Sequence, residues 1–239
     1  MNARSPSSRR TPAYLVVGCK PWNRRVFAEQ LVQLPGRWSY VGERAALTPT
    51  FVARLKPRFI FFLHWSWKVP AEIIDRHECV CFHMTDVPYG RGGSPLQNLI
   101  VRGHHNTKLT ALRMTEAFDA GPVYLKRPLS LAGTAEEILM RASALSAEMI
   151  KVLIARPPVP RAQSGRVTTF RRRTPAESAI PAVSSLDALH DFVRMLDADG
   201  YPRAFLDHHG FRYEFSRAVR YDGRLVADVT ITSLSAPPP

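Results

Sequence analysis

Residues 14–18, 58–64 and 79–83 are three apolar runs of strand length, and the second is apolar on both faces. A strand that buries both faces belongs to a parallel sheet covered by helices on each side. The intervening segments fit that scheme. Residues 23–34 carry helical spacing through Val26, Phe27, Leu31 and Leu34, residues 38–41 read as a strand, and residues 70–76 as a short helix. Thr48 or Thr50 is placed to cap another short helix ending at Leu55. Strand alternating with helix predicts an α/β fold built on a parallel sheet.

Beyond residue 83 the pattern changes. A glycine-rich loop, residues 90–93, leads into Ser94-Pro-Leu-Gln97, which reads as a capping box with proline at the first helical position. Thr134-Ala-Glu-Glu137 starts a long helix in the same way, with an apolar face through Ile138, Ala142, Leu145, Met149, Val152 and Leu153. Pro157, Pro158 and Pro160 then mark a linker. A smaller unit follows: an amphipathic helix over residues 186–196, an alternating strand over 211–215, an Asp222-Gly223 turn, and a strand over 225–231. The expected layout is a disordered basic tail over 1–12, a main domain over 13–155, a Pro/Arg-rich linker over 156–170 and a small β-rich C-terminal domain over 171–235.

The chain carries a formal net charge of +13. Much of it sits in Arg4, Arg9 and Arg10 of the tail and in Arg156, Arg161, Arg166, Arg171, Arg172 and Arg173 of the connector. Such clusters are usually solvated faces, though they also suit a polyanionic partner. No apolar run approaches the roughly 18 residues of a membrane span, so no membrane association is expected and a cytoplasmic location is the default. Cys19, Cys79 and Cys81 do not form a disulfide framework, and no His or Cys spacing suggests a metal site. The adjacent pairs His104-His105 and His208-His209 read as turn features.

Two positions carry candidate chemistry. Residues two apart on a strand face the same way, so Cys81 and His83 project together while Phe82 packs opposite. His83 ends its strand, where ligands bind in open parallel sheets. Asp119 is a carboxylate in the loop that ends at Gly121. A His at a strand end and a nearby Asp suffice for proton handling at an acyl centre. Taken singly, His83 is as compatible with a core or turn histidine, and Asp119 with a turn cap beside Gly121. The glycine-rich loop is a weak phosphate-cradle signal, with neither the Walker nor the dinucleotide spacing.

Taken jointly, these segments resemble the folate-dependent formyltransferases, whose members formylate methionyl-tRNA, glycinamide ribonucleotide and nucleotide-linked amino sugars. The family pattern Asn-x-His-Pro-Ser-x-x-Pro, a Tyr-Arg-Gly loop and a Pro-x-Gln helix start appear as Cys81-Phe-His83-Met-Thr85-Asp-Val-Pro88, Tyr89-Gly-Arg-Gly92 and Pro95-Leu-Gln97. The pattern Met-Asp-Glu-x-x-Asp-x-Gly appears as Met114-Thr-Glu116-Ala-Phe-Asp119-Ala-Gly121. Phe170-Arg-Arg-Arg-Thr-Pro175, Arg194 and Tyr201-Pro-Arg-Ala-Phe205 resemble the opening of the family's C-terminal domain. The resemblance implies a Rossmann-like formyltransferase domain followed by a small β-rich domain.

It also implies formyl transfer from 10-formyltetrahydrofolate to a primary amine, without a metal. His83 would act as general base or oxyanion stabiliser, with Asp119 holding the imidazole. The pterin would lie against Trp67, Val69, Phe118 and Gly121, mainly on backbone groups, with Trp65 as a further candidate wall. Thr85, Tyr89, Arg91, Gln97 and Asn98 would face the amine substrate. One departure stands out: Cys81 occupies the position of the family's Asn, and a thiol is a poor substitute for an amide donor. Asn98, Thr85 or a backbone amide is the expected replacement, with a Cys81 nucleophile, or a weakened, binding-only protein, as alternatives. The short C-terminal unit favours a nucleotide-linked amino sugar as acceptor, its diphosphate met by Arg91, Arg102 or Lys126. Methionyl-tRNA is the alternative, and a homodimer is left open.

Overall fold

The computed structural model describes residues 11–234, so most of the expected basic tail, with Arg4, Arg9 and Arg10, and the C-terminal prolines lie outside the described residues. The first half is built on β1 (Ala13–Gly18), α1 (Pro21–Val26), β2 (Arg37–Val41), α2 (Pro49–Leu55), β3 (Phe59–Leu63), α3 (Ala71–Arg76) and β4 (Cys79–His83). There follow β5 (Arg91–Gly92), α4 (Pro95–Ile100), β6 (Asn106–Arg113), β7 (Val123–Ser130) and the long α5 (Ala135–Ala155). The main sheet has six strands in the order β2-β1-β3-β4-β6-β7. The β2, β1, β3 and β4 strands run parallel, whereas β6 and β7 are antiparallel additions.

Each face of the parallel strands feeds its own apolar cluster, which is why these runs show no alternation. Tyr14, Val16, Phe61 and Val80 pack with Val26 of α1 and Ile138, Ala142 and Ile150 of α5. Leu15, Val17, Ile60, Phe62 and Cys79 pack on the other side with Val52 of α2 and Ile73 of α3. The sequence pattern did not reveal β7, which contains Lys126, Arg127 and Pro128. It lies at the sheet edge, where a proline costs no ladder bond.

Two local expectations change. The helical spacing over residues 23–34 resolves into α1 and a wider turn over Phe27–Leu31, closed by Val32 N–H on Phe27 O at 3.1 Å. The capping box at α4 does not form. Ser94 takes φ 48° with no side-chain cap, and its hydroxyl accepts from the backbone N–H of Arg173 at 3.0 Å. Long-range demand for that oxygen outcompetes the local motif. The box at α5 does form, with Glu137 N–H on Thr134 Oγ1 and Thr134 N–H on Glu137 Oε2.

The C-terminal part contains β8 (Thr169–Phe170), α6 (Leu186–Arg194), β9 (Ala204–His208), β10 (Phe211–Tyr221) and β11 (Arg224–Ser233). The last three form an antiparallel sheet in the order β11-β10-β9, with the expected turn at Asp222-Gly223. A bulge between Ser216 and Val219 lengthens β10 beyond the segment its alternation predicts. Two buried side chains hold this unit to the first. Arg194 donates to Leu131 O at 2.6 Å and Gly133 O at 2.8 Å while pairing with Asp191, and Gln97 donates to Met195 O at 3.1 Å.

Replacing Arg194 by Met strands those carbonyls and leaves Asp191 without its partner. The expected cost is about 2–4 kcal/mol, read as a lower urea midpoint at unchanged slope.

Candidate active site

His83 is the last residue of β4 and is 8% exposed. Its Nε2 lies 2.8 Å from Gly90 O and its Nδ1 lies 3.5 Å from Asp119 Oδ2. A carbonyl only accepts, so Nε2 carries the proton and Nδ1 is the nitrogen left to take one. Asp119 adopts φ 51°, and its Oδ2 also accepts from the backbone N–H of Gly92 at 2.9 Å.

The connector completes this arrangement. Parallel pairing of β5 with β8 fixes Arg91 and Gly92 against Thr169 and Phe170. Gln163 donates to Asp119 O and Gly121 O, both at 2.8 Å, and its Oε1 accepts from Arg91 Nε and Nη2 at 3.1 and 2.9 Å. Nothing in the sequence singles out Gln163, one polar residue in a Pro/Arg stretch. The glycines serve the same closure: a Cβ on Gly92 would stand 2.5 Å from Phe170 O, and one on Gly121 1.9 Å from Arg113 O. The close approach that Gly92 permits is therefore to the chain itself and not to a phosphate.

Several candidate site residues are committed elsewhere. The Thr85 hydroxyl donates to Gly90 O at 3.2 Å. Asn98 Nδ2 lies within 3.0–3.1 Å of Gly93 O, Ser94 O and Arg171 O, and its Oδ1 accepts from Arg102. Neither has a donor to spare, which removes both side chains as replacements for the amide missing at Cys81. Gln97 is spent on Met195 O, Arg91 on Gln163, and Lys126 on Asp86 and Val87 O. Tyr89 donates to or accepts from His104 Nε2 at 3.0 Å and meets Phe170 edge-on.

On the other flank, Cys81 faces the cluster that contains Trp65 and Met114, while Phe82 faces the opposite one. Burial pushes the Cys81 thiol far up, and the Asp119 charge adds to this. It stands as a neutral thiol, which argues against the nucleophile reading. Trp65 and Trp67 meet edge-to-face at 4.7 Å, and the Trp65 indole N–H is buried without a partner among the described residues. Trp67 and Phe118 are exposed, whereas the Val69 side chain is sealed in the core.

His64, the last residue of the second apolar run in the sequence, lies just beyond β3. It takes φ 50°, and its half-buried ring places Nε2 2.8 Å from the Tyr201 hydroxyl. Burial, then the charges of Lys20 and Arg172, push it down to about 4.

The described residues contain no cluster of three or more His, Cys, Asp or Glu placed to hold a metal, and no helix long and apolar enough to cross a membrane. A methionyl-tRNA formyltransferase from Clostridium thermocellum is 42% identical, superposes with a TM-score of 0.88, and is matched over 93% of this chain and 99% of that one. The chain belongs to the folate-dependent formyltransferase family.

A family model described as the C-terminal domain of methionyl-tRNA formyltransferase matches residues 175–232 of this formyltransferase-family chain. The methionyl-tRNA formyltransferase of Rickettsia typhi is 26% identical over 170 residues, covering 68% of this chain and 55% of that protein. The chain thus spans about half the length of the curated relatives it matches. A sugar N-formyltransferase from Shewanella shares the fold, with a TM-score of 0.61 at 13% identity over 91% of this chain and 96% of that one.

The depressed His64 makes stability depend on pH. Between about pH 6.5 and 4 the unfolded chain binds this proton and the folded chain does not, so stability is lost as pH falls through that window. A gap of this size is on the order of 3 kcal/mol. Urea unfolding from pH 7 to pH 4 is expected to show that slope, and His64→Gln is expected to flatten it.

Proposed function

We propose that this protein transfers a formyl group from 10-formyltetrahydrofolate to the amine of methionyl-tRNA. The observation that carries the reading is the His83–Asp119 pair at 3.5 Å, at the carboxyl end of β4, in a chain 42% identical to a methionyl-tRNA formyltransferase over nearly its whole length.

The amine nitrogen attacks the formyl carbon, forming the new N–C bond, and the bond from that carbon to the folate nitrogen breaks. His83 Nδ1 receives the proton that the amine sheds, and the imidazolium so formed lies beside the Asp119 carboxylate. That same Nδ1–H is the donor left to meet the transient oxyanion and then to protonate the departing folate nitrogen, since Asn98, Thr85 and Gly92 N–H are engaged. The apolar flank formed by Cys81, Trp65 and Met114 suits a pterin, and the unpartnered Trp65 N–H gives it a donor. A buried orphan donor of this kind is the feature expected where a ligand acceptor belongs.

Methionyl-tRNA is preferred over a nucleotide-linked amino sugar for two reasons. The length argument for a sugar loses its force, because 99% of the Clostridium chain is matched. The similarity to the sugar enzyme from Shewanella is at the level of fold alone. Arg156, Arg161 and Arg166 of the connector form no ion pair among the described residues, which suits an RNA backbone.

The test is turnover of 10-formyltetrahydrofolate by the purified protein with methionyl-tRNA and, separately, with a panel of nucleotide-linked amino sugars. Methionyl-tRNA is expected to be formylated, with His83→Ala lowering kcat roughly 10²–10⁴-fold and binding weakening steeply with salt. Turnover with a sugar alone would overturn the choice of acceptor.

A further inference from the structure

Lys20 lies two residues beyond β1 and Arg172 two residues beyond β8. Both stand close enough to His64, just beyond β3, for their charges to act on it. Lys20 Nζ stands 4.7 Å from the centre of the Tyr201 ring, and Arg172 Nη1 donates to Ser66 O at 3.3 Å. The Arg172 backbone packs against Gly93, where an added Cβ would come within 2.6 Å of its Cα. Arg172 therefore spans from the loop that orients Asp119 to the turn that carries His64.

Neither cation has a carboxylate partner among the described residues. Lys20 Nζ has only the Asp199 and Gly200 carbonyls, at 3.3 and 3.5 Å, and Arg172 has only Ser66 O. Elsewhere the protein pairs such charges readily: Arg171, next in sequence, meets Glu177 at 2.7 Å. Two cations are thus held beside a half-buried histidine–tyrosine pair, and both charges are felt at His64. Like charges gathered without a counterion next to a catalytic crevice are a site for an anion.

We propose that Lys20 and Arg172, set over the His64–Tyr201 pair, bind one phosphate group of the amine acceptor. Resting on the acceptor reading above, the group is a backbone phosphodiester near the 3′ end of the tRNA, and a nucleotide diphosphate would present the same chemistry. The site is assigned to the acceptor and not the formyl donor because its two cations suit a phosphate, whereas the apolar flank of Cys81, Trp65 and Met114 suits the pterin. The bound anion offsets the charge of both cations.

Two measurements on the full chain test this. The first compares wild type with Lys20→Gln and Arg172→Gln in methionyl-tRNA formylation at saturating 10-formyltetrahydrofolate. Each variant is expected to raise KM for the tRNA about 10-fold with a much smaller change in kcat, to spare KM for the formyl donor, and to lose far less with methionine methyl ester. Lys20→Arg and Arg172→Lys are expected to restore much of the loss. Equal losses with the phosphate-free ester, or a defect confined to the formyl donor, would overturn the proposal.

The second measurement holds even if the tRNA is not the acceptor. His64 is titrated by NMR with and without pyrophosphate. Binding is expected to raise its pKa from about 4 in wild type, and the double variant Lys20→Gln/Arg172→Gln is expected to show no response to pyrophosphate. A response in wild type without tRNA turnover would support the subsite while rejecting tRNA as its source of phosphate. No response in wild type at millimolar pyrophosphate would overturn the subsite itself.

Discussion

One carboxylate oxygen, Asp119 Oδ2, sits between the Gly92 N–H at 2.9 Å and His83 Nδ1 at 3.5 Å, and the site depends on that sharing. An aspartate in a loop has no fixed orientation of its own. Here the Gly92 N–H fixes the carboxylate, and β8 fixes Gly92 by pairing with β5. Gln163 then holds the backbone at Asp119 and at Gly121 just after it. The His83–Asp119 pair is thus oriented by a connector that follows it in sequence. A misplacement of the connector is felt at His83 without any change in either side chain of the pair.

The parallel core was legible because each strand run is continuous and apolar, and the two packed faces show why. The placement of His83 with Cys81 on one face, opposite Phe82, follows from a period of two and nothing more. Strands β7 and β9 were not legible: β7 is charged and contains a proline, and β9 ends in the polar, exposed Asp207-His208. Gln163, Lys20 and His64 were invisible for a different reason. Their roles come from partners 42 to 180 residues away, and no local pattern encodes such contacts. The Ser94 motif failed for the same cause, its hydroxyl claimed by Arg173 from across the molecule.

The thiol at Cys81 shifts the chemical burden. An amide there would offer a strong donor to a developing oxyanion; a half-buried, neutral thiol does not. The nearby candidates Thr85 and Asn98 are tied into the loop, so they brace the site and do not replace the donor. In the proposed transfer His83 both takes the amine proton and supplies the hydrogen bond that follows. That places more of the rate on the imidazole and on the carboxylate behind it.

If His83 and Asp119 act as one unit, their losses cannot add. The most direct measurement is the single-turnover formyl-transfer rate of His83→Ala, Asp119→Asn and the double variant, with donor and acceptor saturating. The account predicts that the double variant is no slower than His83→Ala alone, because Asp119 works only through the imidazole. Losses that multiply would contradict it, and would mean that Asp119 acts on the reaction independently of His83.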